Sequence, residues 1–232
     1  MRFMNESDES FLATADELYS LLVTRGDLAP DATVLDIGCG YGRLLYGLTR
    51  GGWHGRYVGV DVLATHVEWC RDNLGDGDRV RFLHANVQNG RYNPGGTLRP
   101  AELDLPVREA DVVALFSVFT HMWPDDVVSY LRLCRQVLAP EGRVVATFFL
   151  DNWRLRRLER RGLPRYVLPH RQWPARWHSE KDPLHVIAMS ERWVRRSARR
   201  AGLRLARPPE HGTWSGREGG PTFQDLVTLA RR

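Results

Sequence analysis

The chain has 232 residues, 43% of them hydrophobic, and a formal net charge of +5. That length suits one α/β domain with modest additions, and the apolar content is enough for an ordinary core. No apolar run approaches the roughly 18 residues of a membrane span, residues 1–10 are polar and acidic rather than signal-like, and Cys39, Cys70 and Cys134 form no C-x-x-C pair, which argues against a disulfide framework or zinc site and fits a reducing cytoplasm.

In chain order, Phe11, Leu12, Leu18, Leu21 and Leu22 predict an amphipathic helix over 11–24, which packs on the core or lids a site. Residues 1–30 are thus an N-terminal helix or lid of a single domain spanning 1–232. Residues 34–43 read Val-Leu-Asp-Ile-Gly-Cys-Gly-Tyr-Gly-Arg. An apolar run ends in a tight turn, and Leu44, Leu45 and Leu48 then open a helix over 42–50. Glycines at 38, 40 and 42 let the backbone approach a ligand closely, because no Cβ intervenes. Asp36, two residues before the first glycine, repels a pyrophosphate and suits a cation.

A second strand, 57–60, ends at Asp61, 23 residues after Gly38. An acid there accepts hydrogen bonds from ribose hydroxyls; a helix N-cap is the competing reading. Asp61 would serve a nicotinamide cofactor equally well, but Arg43 breaks the G-x-G-x-x-G pattern such a site needs. A helix over 64–74 and a strand over 80–83 follow. Residues 88–108 form a long connection, a length that is usually functional or mobile. Strand 111–116 runs into Phe116-Ser117-Val118-Phe119-Thr120-His121-Met122. Pro124, Asp125 and Asp126 open a helix to about Leu138, and a strand covers 143–149. Residues 151–187 read as an inserted cap. A helix over 190–201 and strands over 203–206 and 223–229 complete the chain. Strands alternating with helices predict a parallel sheet wrapped on both faces.

Charge is uneven. Residues 151–207 hold sixteen Lys and Arg against five Asp and Glu, a balance of +11 that leaves −6 for the remainder. Lys181 is the only lysine, so the overall arginine bias is a poor guide to nucleic acid, and the asymmetry points to a local role. Residues 151–177 interleave Trp153, Tyr166, Trp173 and Trp177 with eight arginines. Such a segment caps an acidic or aromatic small molecule, or reads single-stranded nucleic acid. Arg192, Arg195, Arg196, Arg199 and Arg200 make a solvated helix face.

Taken in this order, residues 30–150 resemble the class I S-adenosylmethionine-dependent methyltransferases. Val34–Arg43 resembles their first motif, Tyr57–Asp61 the second strand with its acid, Val80–Val87 the third, Asp111–Met122 the fourth, and Leu138–Leu150 the helix-turn-fifth-strand signature. The resemblance implies a Rossmann-like, doubly wound, seven-stranded and mostly parallel sheet of order 3-2-1-4-5-7-6, with strand seven antiparallel. It implies S-adenosyl-L-methionine as cofactor, which carries an ammonium and a sulfonium but no phosphate. The implied cofactor contacts are Asp36, Gly38, Cys39, Gly40, Tyr41, Gly42, Asp61, Val62, Asn86, Val87, Phe116 and Ser117. Asn86 stands where the family commonly has an Asp for the adenine amine. Val62 and Val87 would sandwich the adenine, ordinary core packing being the alternative.

Acceptor contacts are expected at Tyr92, Asn93, Trp153, Trp214 and Arg217, with a packed aromatic as the competing role for Tyr92 and Trp214. Tyr92-Asn93-Pro94 and His211–Arg217 resemble segments of one subgroup of these enzymes. His121 is the candidate general base, since imidazole titrates near neutrality, with packing or helix capping as the competing role and His211 in reserve. The histidines show no metal-ligand spacing, so no metal is expected. The strand-four turn lacks the Asn/Asp-Pro-Pro-Tyr/Phe of amino-methyltransferases, which disfavours nucleic-acid bases. The expected activity is cytoplasmic methyl transfer to a small molecule, anionic or aromatic, at oxygen rather than nitrogen. The alternatives are an RNA or protein methyltransferase using the basic insert, or a non-catalytic cofactor-binding module.

Overall fold

A computed structural model describes residues 7–232; the first six residues of the polar N-terminal stretch lie outside the described residues. Helix α1 (Asp8–Arg25) starts where the Ser7 hydroxyl accepts the Ser10 N–H, with Asp8 and Glu9 complementing the helix dipole, and ends at Gly26. It lies against α2 (Arg43–Arg50), so closely that a Cβ on Gly47 would stand 2.1 Å from the Ala15 carbonyl oxygen. The Tyr19 hydroxyl donates to the Gly51 carbonyl at 2.8 Å. Of the two roles open to this helix, packing on the core is the one its contacts describe.

Strands β1 (Val34–Ile37), β2 (Tyr57–Asp61), β3 (Val80–His84) and β4 (Ala110–Leu115) pair in parallel, with α3 (Ala64–Asn73) between the second and third. Helix α4 (Pro124–Val137) begins with proline at its first turn and acids at 125 and 126, and leads into β5 (Leu138–Phe148). Strand β5 starts five residues earlier than the pattern predicts, because Ala110 pairs with Leu138 before a register shift brings Val112 opposite Arg143.

The chain then leaves this sheet. Strand β6 (Leu150–Asp151), helix α5 (Trp153–Glu159), β7 (His170–Gln172), β8 (Ala175–Trp177) and β9 (Ile187–Ser190) form a second sheet of order β6-β9-β8-β7. Its strands have two to four residues, too short to carry an alternating pattern. One face, with Leu150, Ala175, Ile187 and Met189, merges into the main core. The other, with Phe149, Val186 and Ala188, builds a small core with Leu155, Leu168 and Trp214. Helix α6 (Glu191–Arg200) returns to the main sheet with its arginines exposed and Val194 and Ala198 buried. Strands β10 (Leu203–Leu205) and β11 (Asp225–Arg231) finish it. The seven strands run β10-β11-β5-β4-β1-β2-β3, with β11 antiparallel to both neighbours. That is the expected 3-2-1-4-5-7-6 order.

Candidate active site

The carboxyl ends of β1, β2 and β4 open onto a cavity of about 260 Å³, where ligands of open α/β sheets bind. On its β1 side, the Gly38 and Cys39 N–H groups both donate to the Val60 carbonyl, at 2.7 and 3.1 Å. Gly38 has φ +78°, and a Cβ there would sit 2.5 Å from Val118 Cγ2. Gly40 has φ +52°, and a Cβ there would meet no atom within 4 Å. Its backbone faces open space, the arrangement that a closely approaching ligand needs.

Asp61, at the end of β2, organises this turn. Its Oδ2 accepts the Gly40 N–H at 2.8 Å and its Oδ1 accepts the Leu63 N–H at 2.9 Å. The carboxylate thus fixes the entry to α3 and still lines the cavity, and each oxygen retains acceptor capacity for a hydroxyl. Asp36 lies deeper. It is 3% exposed, and its carboxylate accepts the Tyr57 hydroxyl at 2.6 Å. Burial pushes its carboxyl up to about 7, opposed by the Tyr57 hydrogen bond and reinforced by the nearby Asp61 charge.

Of the other expected cofactor residues, Val62, Phe116 and Ser117 line the cavity, whereas Cys39, Tyr41, Gly42, Asn86 and Val87 are not part of its lining. Tyr41 packs on the His66 ring at 4.0 Å, and His66 itself lines the cavity with a buried, unpartnered Nδ1. Asn86 is engaged elsewhere: its Oδ1 accepts from Asn93 and its Nδ2 donates to Thr97, both at 3.1 Å. Val87 is core, at 2% exposure. Ala85 and Asn89 form the wall at this position.

Across the cavity, His121 ends a 3-10 turn after β4. Its Nδ1 lies 2.8 Å from the Leu184 carbonyl oxygen, in the cap. A carbonyl can only accept, so Nδ1 carries the proton of the neutral ring and Nε2 keeps a lone pair. Burial holds the imidazole below its ordinary value, with the Arg91 charge adding to the effect. Tyr92 meets the ring edge-on at 5.6 Å. Asn89, 6% exposed, ties these parts together. Its Oδ1 accepts the Arg91 and Tyr92 N–H groups at 3.0 and 2.9 Å, and its Nδ2 donates to the His121 carbonyl at 3.3 Å. Arg91 pairs with Asp182 of the cap. Ser117 holds φ +58°, a left-handed conformation that costs on the order of 1–3 kcal/mol in a non-glycine residue. The Thr147 hydroxyl accepts its N–H at 2.7 Å and its hydroxyl reaches Gln224 Oε1 at 3.2 Å.

The remaining expected acceptor residues do not reach the cavity. Trp214 is fully buried, its indole N–H donating to Asp225 at 2.8 Å. Asp225 also accepts the Leu150 and Gly212 N–H groups, so this pair anchors the 211–223 loop. Trp153 is 67% exposed. Arg217 and His211 border a separate small cleft, with His211 between Glu191 and Asp225 at 3.8 and 3.5 Å. Asn93 braces Asn86 and the Val87 carbonyl. Sequence reasoning missed Asn89, His66, Tyr130 and the Leu184 carbonyl, whereas Met122 belongs to the Phe116–Met122 segment already expected to face the site. Only Asn89, in an Asn-Gly pair, carried a turn signal.

Among the described residues no group of three or more His, Cys, Asp or Glu could hold a metal ion, and no helix is long and apolar enough to cross a membrane. Among the described residues that line the cavity, Asp61 is the only Asp, Glu, Lys or Arg. The glycine turn, the acid closing β2 and the reversed last strand define a Rossmann-like methyltransferase fold. Residues 34–142, just under half of the chain, match the model of a family described as a methyltransferase domain, in keeping with the resemblance to the class I S-adenosylmethionine-dependent methyltransferases. Solved structures share the architecture. The PH0226 protein of Pyrococcus horikoshii OT3 aligns with TM-score 0.65 and 18% identity over 99% of this chain and 96% of its own. The 1,6-didemethyltoxoflavin-N1-methyltransferase of Burkholderia thailandensis, solved with 1,6-didemethyltoxoflavin and S-adenosylhomocysteine, aligns with TM-score 0.56 and 21% identity over 97% and 79%. The mitomycin 7-O-methyltransferase MmcR aligns with TM-score 0.59 and 19% identity over 95% of this chain and 54% of its own.

Proposed function

We propose that this enzyme methylates a hydroxyl of an uncharged, aromatic small molecule. The observation that carries the reading is His121 at the wall of the cavity, whose Nδ1 hydrogen bond to the Leu184 carbonyl makes Nε2 the basic nitrogen of the neutral ring. S-adenosyl-L-methionine supplies the methyl from its sulfonium. Gly38, Gly40 and Asp61 fit it: an open backbone cradle for the amino-acid end and a carboxylate with spare acceptor capacity for the ribose. His121 would take the hydroxyl proton as the acceptor oxygen gains the methyl, leaving imidazolium and the methyl ether. Tyr92, Phe116, Val118 and Met122 supply apolar and aromatic contact, and holding the acceptor in place contributes most of the acceleration.

The same lining argues against an anionic acceptor. The paired cap arginines, Arg156 and Arg176, face Asp151 and Glu159, and Arg91 faces Asp182, so their charge is engaged outside the cavity. Two structural neighbours are named for small-molecule acceptors, one methylated at nitrogen and one at oxygen, which supports the small-molecule part of this reading. Three free, buried cysteines support a cytoplasmic setting. Turnover with cofactor and a panel of phenols, aromatic acids, amines and short RNAs, read by mass spectrometry, tests it. Phenols should be methylated; methylation confined to RNA or to amines would overturn it.

A further inference from the structure

Of eight exposed large hydrophobic side chains among the described residues, four (Trp153, Leu163, Val167 and Trp173) fall within a short part of the cap. A fifth, Phe223, packs against cap Tyr166 with ring centroids 6.3 Å apart. Four of the five, all but Trp173, sit on segments that cover one small core. Helix α5, residues 163–168 and the 211–223 loop all cover the small core around Phe149, Leu155 and Trp214. At one end of the cap sheet, Asp151 pairs with Ser190, whose N–H donates to the Pro174 carbonyl. The next residue after Asn152 and the residue before Pro174 are the two tryptophans, so both emerge at that end.

Arginines surround these side chains. Arg156 and Arg176 are the cap arginines paired with carboxylates among the described residues. The other six, at 154, 157, 160, 161, 165 and 171, are exposed, and Arg154 lies over the Trp153 ring at 5.3 Å. We propose that this face docks on an anionic lipid bilayer. Indole rings settle at the headgroup level, aliphatic side chains enter the acyl boundary, and guanidinium groups meet lipid phosphates. A single-stranded nucleic acid would use the arginines and tryptophans by stacking. It offers nothing to Leu163 and Val167, which are 42% and 68% exposed and have no aromatic face. The face also adjoins the active site: Phe223 precedes Gln224, which bonds Ser117 of the cavity lining.

Co-sedimentation of the full chain with vesicles of phosphatidylcholine alone and of phosphatidylcholine with an equal part of phosphatidylglycerol tests the proposal. Binding is expected only to the anionic vesicles, weakening at least severalfold between 50 and about 300 mM salt. The W153A/W173A variant and the charge-reversed R157E/R161E variant should each lose at least about tenfold in vesicle affinity. Both should still bind S-adenosylhomocysteine, which shows that they are folded. No sedimentation with anionic vesicles, or binding untouched by either folded variant, would overturn the proposal. So would tryptophan-dependent binding of a 20-nucleotide RNA without vesicle binding.

Discussion

The Nδ1 of His121 and the carbonyl oxygen of Leu184 lie 2.8 Å apart, one on the turn after β4 and the other in the inserted cap. The cap therefore acts on the site through a backbone atom. It fixes the ring's tautomer and orientation without supplying a side chain to the cavity, as expected when the partner of one ring nitrogen sets the role of the other.

His121→Ala should lower turnover by roughly 10²–10⁴-fold with cofactor affinity nearly unchanged. Because burial lowers the imidazole pKa, the acidic limb of the wild-type kcat/KM profile should fall below its ordinary value of 6.5 and vanish in the variant. A pH–rate series with both proteins checks this. An unchanged limb would mean that the proton leaves by another route.

Asp61→Ala should weaken S-adenosylhomocysteine binding by at least about 1–3 kcal/mol. It removes the ribose partner and frees the Gly40 and Leu63 N–H groups together. Calorimetry measures the loss, and an unaltered Kd would remove Asp61 from the cofactor site.

Asp36 ties stability to pH. Burial pushes its carboxyl up to about 7 in the folded protein from an ordinary value of 3.8, so the native state holds a proton that the unfolded chain releases. The sign follows: this contribution is whole below pH 3.8 and is lost as pH rises through about 7. Asp36→Asn keeps an acceptor for Tyr57 and cannot ionise. Relative to the wild type, its ligand-free Tm should rise by roughly 5 °C or more between pH 5 and pH 8. Parallel thermal scans would contradict the assignment if the two proteins tracked each other.

Asp225→Ala strands three buried donors, the N–H groups of Leu150, Gly212 and the Trp214 indole. Loss of roughly 3–5 kcal/mol and about 10 °C in Tm is expected. Trp214→Phe should lose less, with the acceptor KM little changed, because this tryptophan is packed away from the cavity. Steady-state kinetics beside a melting curve separates the two roles.

The main sheet was legible in the sequence because its strands are buried apolar runs closed by glycine, acid or proline. Its strand order came from the resemblance carried by those same runs. The glycine turn was legible for a similar reason: Gly38, Gly40 and Asp61 act through local backbone geometry, which neighbouring residues encode. The acceptor side was less so. Trp214 and Arg217 lie in a distinctive segment, but what they touch depends on Asp225 and on how the cap folds. Asn89 acts through two backbone N–H groups and a carbonyl, partners that no side-chain pattern reveals. The cap strands escaped notice because they are short and are held by burial on both faces.

Phe148 closes β5 in the large sheet and Leu150 opens β6 in the small one, with Phe149 alone between them. A cap joined this way has no hinge. Its Met189 amide bonds the Phe149 carbonyl at 2.8 Å, so opening the cap means breaking the end of the central sheet. Amide exchange at Leu150 and Met189 should then require the same opening as exchange at Val145, not a smaller local one. Traffic of acceptor and product would fall to the 88–96 loop, whose movement breaks the Arg91–Asp182 pair and the Asn89 bond to the His121 carbonyl while the cap stands still.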